Sequence, residues 1–138
     1  MGNQVYFEDV QEGTEVSYTA KDPTTQQLVK YAGSVGGLYQ IHYDLKLRKG
    51  QRAADVILTC ALKGAWLGQV MTDWIGAEGM LKSLTTQYRG MDVPGTPMLG
   101  KGVVTKKYTE NGENPGRLRT IWLEDHEGRR RLRRERRP

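Results

Sequence analysis

The chain has a single cysteine, Cys60, and only two histidines, His42 and His126. One cysteine excludes an internal disulfide and a thiolate zinc cluster. Two histidines exclude a His-rich metal centre, and no metal is expected. No apolar run approaches the ~18 residues that span a bilayer. The N-terminus, Met1-Gly2-Asn3-Gln4, has no basic segment and no apolar segment of a signal peptide. Gly2 suits an acylation signal, but Tyr6 stands where Ser or Thr is required. These absences point to a reducing cytoplasm and to neither a membrane nor a secreted protein.

Negative charge is also short. The 138 residues carry 21 Lys+Arg against 16 Asp+Glu, a formal net charge of +5. The excess is local. Residues 129–138 hold seven Arg and one Glu, a net +6, and the other 128 residues hold 14 basic and 15 acidic groups, a net −1. The body of the chain is near neutral and the basicity is a tail. No aromatic residue is interleaved with these arginines, so the stacking element of single-strand recognition is missing. Runs of like charge are ordinarily solvated. Nucleic acid is therefore not the expected partner, and the division is 1–128 for the domain and 129–138 for an Arg-rich tail or last edge strand.

Apolar residues make up 37% of the chain, enough for one core at this length. Val5 to Gly13 reads as a lead-in ending in a glycine turn, and Val16 to Thr19 alternates like a strand. Asp22-Pro23 reads as a helix start, with Asp22 as N-cap. Leu28, Val29, Ala32 and Val35 follow at helical spacing, and Gly33, Gly36 and Gly37 end the helix. Residues 45–55 are basic and irregular. A long helix comes next, with Ile57, Cys60, Ala61, Gly64, Leu67, Gly68, Met71, Trp74 and Ile75 on one face. Gly64 and Gly68 in that stripe predict a close approach by another backbone. Strands are predicted at 81–89, 98–108 and 117–124, with Gly100 and Gly102 as bend points. Asn111-Gly112 and Asn114-Pro115-Gly116 connect the last two, and Asp125 to Gly128 is a turn. One long apolar helix among antiparallel strands is an α+β layer arrangement.

Gly95 to Gly102 matches part of a phosphate-binding loop, but Gly102 replaces the metal-binding hydroxyl and a strand pattern follows where a helix is required. The segment Gly36-Gly37-Leu38-Tyr39-Gln40-Ile41-His42-Tyr43-Asp44 carries more. It places an imidazole between a helix end and a long apolar helix, where a loop faces a cleft. Imidazole is the usual general acid or base. Asp44 either orients it or caps the next turn. The start of the long helix, near Thr59 and Cys60, offers backbone N–H groups and a positive dipole end for a carbonyl oxygen. A base beside oxyanion donors is the minimum kit for proton chemistry next to a carbonyl. Cys60 as nucleophile would need a base in reach, and its burial habits favour a small buried helix residue instead.

Taken in order, four segments resemble the MaoC-like hydratases of the hotdog fold. They are Tyr6-Phe7-Glu8-Asp9-Val10 with Gly13, Ile41-His42-Tyr43-Asp44, Leu62 to Gly76, and Gln87 to Gly95. The resemblance spans about residues 5–125. It implies a single hotdog domain, an antiparallel sheet wrapped around a long central helix, in a homodimer or a heterodimer with a second hotdog chain. It implies acyl-thioester substrates, with coenzyme A or a carrier protein as the handle, and no cofactor. Water addition to a 2-enoyl thioester, or its reversal, rests in that family on an Asp and a His five residues apart. Here the Asp position is Gly37, followed by Tyr39 and Gln40 where Asn and Pro are usual, and the His-Gly pair opening the central helix is Thr59-Cys60.

The expected site is therefore His42, Tyr39 and Asp44 for catalysis, with Thr59, Cys60, Tyr31 and Gly37 around the substrate. Arg48, Lys49 and Arg52 are candidate phosphate contacts, beside Lys46. The expected function is a hydratase/dehydratase-type lyase with altered chemistry on an acyl or polyketide intermediate, suited to secondary metabolism. The alternative is a non-catalytic hotdog subunit paired with an active one.

Overall fold

The computed structural model describes residues 4–50, 55–88, 90–110, 113–118 and 121–125. Asn111-Gly112, the turn beyond Asp125 and the Arg-rich tail, expected at 126–128 and 129–138, lie outside the described residues, as does Arg52.

Strand β1, Glu15–Lys21, leads into helix α1, Thr25–Val35. The N-cap is Thr24, whose Oγ1 accepts from the Gln27 N–H at 3.2 Å, and not Asp22. Pro23 lies before the cap and is buried, so it ends the strand instead of opening the helix. Gly36, at φ 67°, closes α1. This is the left-handed C-terminal position that glycine fills without strain. Gly33 lies inside the helix. A 3-10 turn, Gln40–His42, lies in the loop after α1, and a six-residue helix α2, Leu45–Gly50, forms within the 45–55 stretch expected to be irregular.

Helix α3, Cys60–Ile75, is the long helix, starting three residues after Ile57. It packs against β1, β2 (Met98–Val103) and β5 (Ile121–Asp125), which form one antiparallel sheet in the order β1-β2-β5. The β1–β2 register slips between Val16 and Thr19, opposite Gly102 and Gly100, with the extra residue on β1. A bulge of this kind bends the strand and increases its local twist. The last strands divide differently from expectation. The 98–108 run breaks after Val103, and β3, Lys107–Glu110, pairs with β4, Glu113–Leu118, in a separate hairpin. Asn114-Pro115-Gly116 is inside β4. Among the described residues β4 pairs on one side only, and an edge is where a strand tolerates proline. No strand forms over 81–88.

Two apolar clusters flank α3. Leu28, Val56, Leu58, Leu62, Trp66, Leu67 and Met98 form one, with Tyr31 and Tyr88 against it. Val10, Val16, Val70, Trp74 and Val104 form the other. Each large side chain so buried contributes about 1.5–3 kcal/mol. The buried face of α3 is thus Leu62, Lys63, Trp66, Leu67, Val70 and Trp74. It is rotated from the expected stripe, and Cys60 and Ala61 are exposed. The glycines do admit a close approach, but by side chains. A Cβ on Gly64 would stand 2.6 Å from the Tyr88 hydroxyl, and one on Gly68 would stand 3.8 Å from Leu84 Cδ2.

Candidate functional site

The site loop starts where α1 stops. Gly36 reverses the chain, and the 3-10 turn then tightens it. His42 N–H donates to the Tyr39 carbonyl at 3.1 Å, and Asp44 N–H to the Gln40 carbonyl at 2.7 Å. The Tyr43 hydroxyl donates back to the Leu38 carbonyl at 3.0 Å. The loop is therefore held by its own backbone before anything else touches it.

Its imidazole is held by the segment that precedes α3. His42 Nδ1 lies 2.8 Å from the Ile57 carbonyl oxygen, and the Ile57 N–H donates to the Ile41 carbonyl at 3.1 Å. A carbonyl oxygen only accepts, so Nδ1 carries the proton in this bond. In the neutral ring Nε2 is then the atom with the free lone pair. This is the orientation that lets one nitrogen exchange protons while the other is anchored. Tyr39 meets the ring edge-on, with centroids 6.0 Å apart and planes at 77°. The Tyr39 and Leu38 side chains are each 66% exposed, and Val35 and Leu45 are exposed beside them in sequence.

Ile57 is two residues before Thr59, the N-cap of α3. Thr59 is extended and makes no side-chain capping bond. The first-turn N–H groups of α3 therefore have no side-chain acceptor from their cap. The tether joins the imidazole to the segment that opens this helix.

The other expected site residues divide. Asp44 Oδ1 accepts from the Leu47 N–H at 3.0 Å. It caps α2, the second of its two alternatives, and this bond does not involve His42. Cys60 opens α3 and its thiol is exposed, so the expectation of a small buried helix residue is corrected. Its position at the helix start puts the side chain outside the buried face. Tyr31 is half-buried against the α1–α3 core. Lys46 and Lys49 are exposed on α2, and Arg48 is described there by its backbone alone.

Gly37 is the departure with a measurable geometry. Its φ is outside the left-handed region, and a Cβ built on it would meet only Val35 Cγ2, at 3.4 Å. The backbone does not require glycine here. The position has room for a Cβ where the family resemblance expects an Asp.

Sequence reasoning missed two features. One is the Ile57 carbonyl, because any residue supplies a carbonyl. The other is a buried ion pair, Lys63 Nζ to Asp92 Oδ2 at 2.7 Å. Its signal was a lysine set among the apolar residues of α3, with its partner 29 residues away. Among the described residues, no group of three or more His, Cys, Asp or Glu could hold a metal ion, and no helix is long and apolar enough to cross a membrane.

No family model matches the sequence. No curated protein matches it. Solved structures do match. The R-hydratase PhaJ1 from Pseudomonas aeruginosa superposes with a TM-score of 0.82 at 15% identity, over 94% of this chain and 81% of that one. A MaoC-like dehydratase gives a TM-score of 0.79 at 20% identity, over 95% of this chain and 40% of that one. The ChsH1-ChsH2 complex from Mycobacterium tuberculosis gives 0.71 at 14%, over 88% of this chain and 91% of that one. At these identities the likeness is one of fold. The chain has the α+β hotdog fold of the MaoC-like hydratases and dehydratases.

Proposed function

We propose that the chain is a hydratase/dehydratase-type lyase that acts on an acyl thioester, or a related acyl intermediate, with His42 as its only acid–base group. The observation that carries this reading is the Nδ1 bond to Ile57, three residues before α3, which leaves Nε2 with the free lone pair as the proton acceptor. The dehydration direction needs one such group. Nε2 takes a proton from C2 of a 3-hydroxyacyl thioester. The released electron pair forms the C2=C3 bond as the C3–O bond breaks. The departing hydroxide takes the proton from Nε2 and leaves as water. Charge that builds on the thioester oxygen is met by the first-turn N–H groups of α3. Tyr39 and Leu38 supply apolar walls.

Water addition runs back through the same transition states, and Gly37 offers no carboxylate to orient that water, so both directions are slower than with two acid–base groups. Isomerisation or ring closure, which start from C–H deprotonation and need no water, also suit this site. The test is turnover of 3-hydroxyacyl and 2-enoyl thioesters, on coenzyme A and on a carrier protein. His42→Ala is expected to lower dehydration by about 10²-fold or more. Full turnover in that variant overturns the reading.

Gly37 also favours a second reading, a non-catalytic subunit that shapes the site of an active hotdog partner. The fold likeness to a two-component complex supports it. This reading expects a stable complex with a second hotdog chain. A homodimer by sizing and light scattering, unchanged by such a chain, counts against it.

A further inference from the structure

Lys63 and Asp92 are buried charged side chains, 2% and 5% exposed, and the chemistry above uses neither. Burying two charges costs several kcal/mol each, and a packed apolar pair is often as stable or more so. A cation in the first turns of a helix also opposes the helix dipole. Stability is thus a weak reason for this pair, and what it connects is more telling.

Among the described residues, the ammonium's contacts go to one short segment. Nζ donates to Asp92 Oδ2 at 2.7 Å and to the Gly90 carbonyl at 3.0 Å, and lies 5.5 Å from the centroid of the Tyr88 ring. That segment is thereby fixed to α3. Its Asp92 carbonyl in turn accepts from the Leu58 N–H at 2.8 Å. Leu58 follows Ile57, whose carbonyl holds His42 Nδ1. Further along, the Gly95 N–H donates to the Pro23 carbonyl at 2.8 Å, which joins the same segment to the start of α1.

We infer that Lys63 and Asp92 are positioning residues for His42. They hold the 56–58 segment so that the Ile57 carbonyl faces Nδ1, and they reach the imidazole through the Asp92–Leu58 backbone bond. The purpose of this arrangement rests on the lyase reading, but its geometry does not.

The test reads His42 itself by nuclear magnetic resonance, in the full chain and without substrate. With two histidines in the chain, the His126→Gln variant assigns the ring signals. The wild type is expected to show one ring tautomer, protonated at Nδ1. Lys63→Met combined with Asp92→Leu replaces the ion pair by apolar groups of similar size. In that folded variant the Leu58 amide is expected to exchange about tenfold faster, and the His42 ring to become a mixture of tautomers. Lys63→Arg, which keeps the charge, is expected to keep the wild-type ring signals. A folded double variant with both signals unchanged overturns the inference. Should the double variant not fold, native-state exchange of the wild type decides. One common opening free energy for the Leu58 amide and the Nδ1 proton supports the coupling, and two unequal ones overturn it. Because turnover is not read, failure here leaves the lyase reading standing, and failure of the lyase reading leaves this result standing.

Discussion

His42 Nδ1 and the carbonyl oxygen of Ile57 lie 2.8 Å apart, 15 residues from one another in the chain. The bond ties the loop after α1 to the approach to α3. It turns a lone histidine into an oriented one. Because the acceptor is a backbone carbonyl, the tautomer follows without help from a carboxylate.

Gly37→Asp should fold and should gain hydration and dehydration activity together. A Cβ at this position meets only Val35 Cγ2 at 3.4 Å, and the backbone is not in a glycine-only conformation. A carboxylate placed there supplies the water-orienting group that the wild type lacks. Hydration of a 2-enoyl thioester, and with it the reverse dehydration, is expected to rise by about 10²-fold, as followed by the enoyl absorbance.

Asp44 should matter to α2 more than to chemistry. Its carboxylate caps the Leu47 N–H at 3.0 Å. Asp44→Ala is expected to cost about 1 kcal/mol in denaturant unfolding. Asp44→Asn keeps a capping oxygen, so it should fold normally and only weaken turnover, in contrast to His42→Ala.

Gly64→Ala should destabilise through one atom. The new Cβ would stand 2.6 Å from the Tyr88 hydroxyl and 3.9 Å from Tyr88 Cζ. Overpacking of this kind costs about 1–3 kcal/mol. Tyr88→Phe removes the hydroxyl, so the double variant should recover most of the loss. A double-mutant cycle on unfolding free energies measures the coupling, and strict additivity would show that the contact is not the cause.

Gln4 should act as a clamp on the end of α3. Its Nε2 donates to the Ile75 carbonyl at 2.8 Å, and its Oε1 accepts from the Glu78 N–H at 3.1 Å. Gln4→Ala is expected to cost about 1–2 kcal/mol. Gly76→Ala should cost more, because Gly76 sits at φ 80° and a Cβ there would lie 2.5 Å from Gln4 Oε1. Thermal unfolding of both variants checks the order.

Much of this fold is legible in the chain, and the parts that are not share a cause. Alternation at Val16 to Thr19 marks β1, and helical spacing marks α1 and the body of α3. Those signals are local. The buried face of α3 was misplaced because Lys63 reads as polar and Gly64 and Gly68 read as buried. Lys63 is inside because Gly90 and Asp92, 27 and 29 residues on, satisfy its ammonium. No local pattern reports such a partner. Residues 81–88 have a strand-like composition, but a strand also needs a neighbour, and no described strand pairs with them. At the site, His42 stood out because imidazole carries chemistry in its name. Ile57 did not, because its contribution is a carbonyl that any residue would supply.

The central claim is that His42 alone moves a proton at the carbon beside a thioester carbonyl. Exchange of that α-proton with deuterated water, followed by nuclear magnetic resonance on a saturated acyl thioester, reads this step without needing water to add or leave. The account predicts exchange catalysed by the wild type and lost in His42→Ala. No catalysed exchange in the wild type, or equal exchange in both, would contradict it.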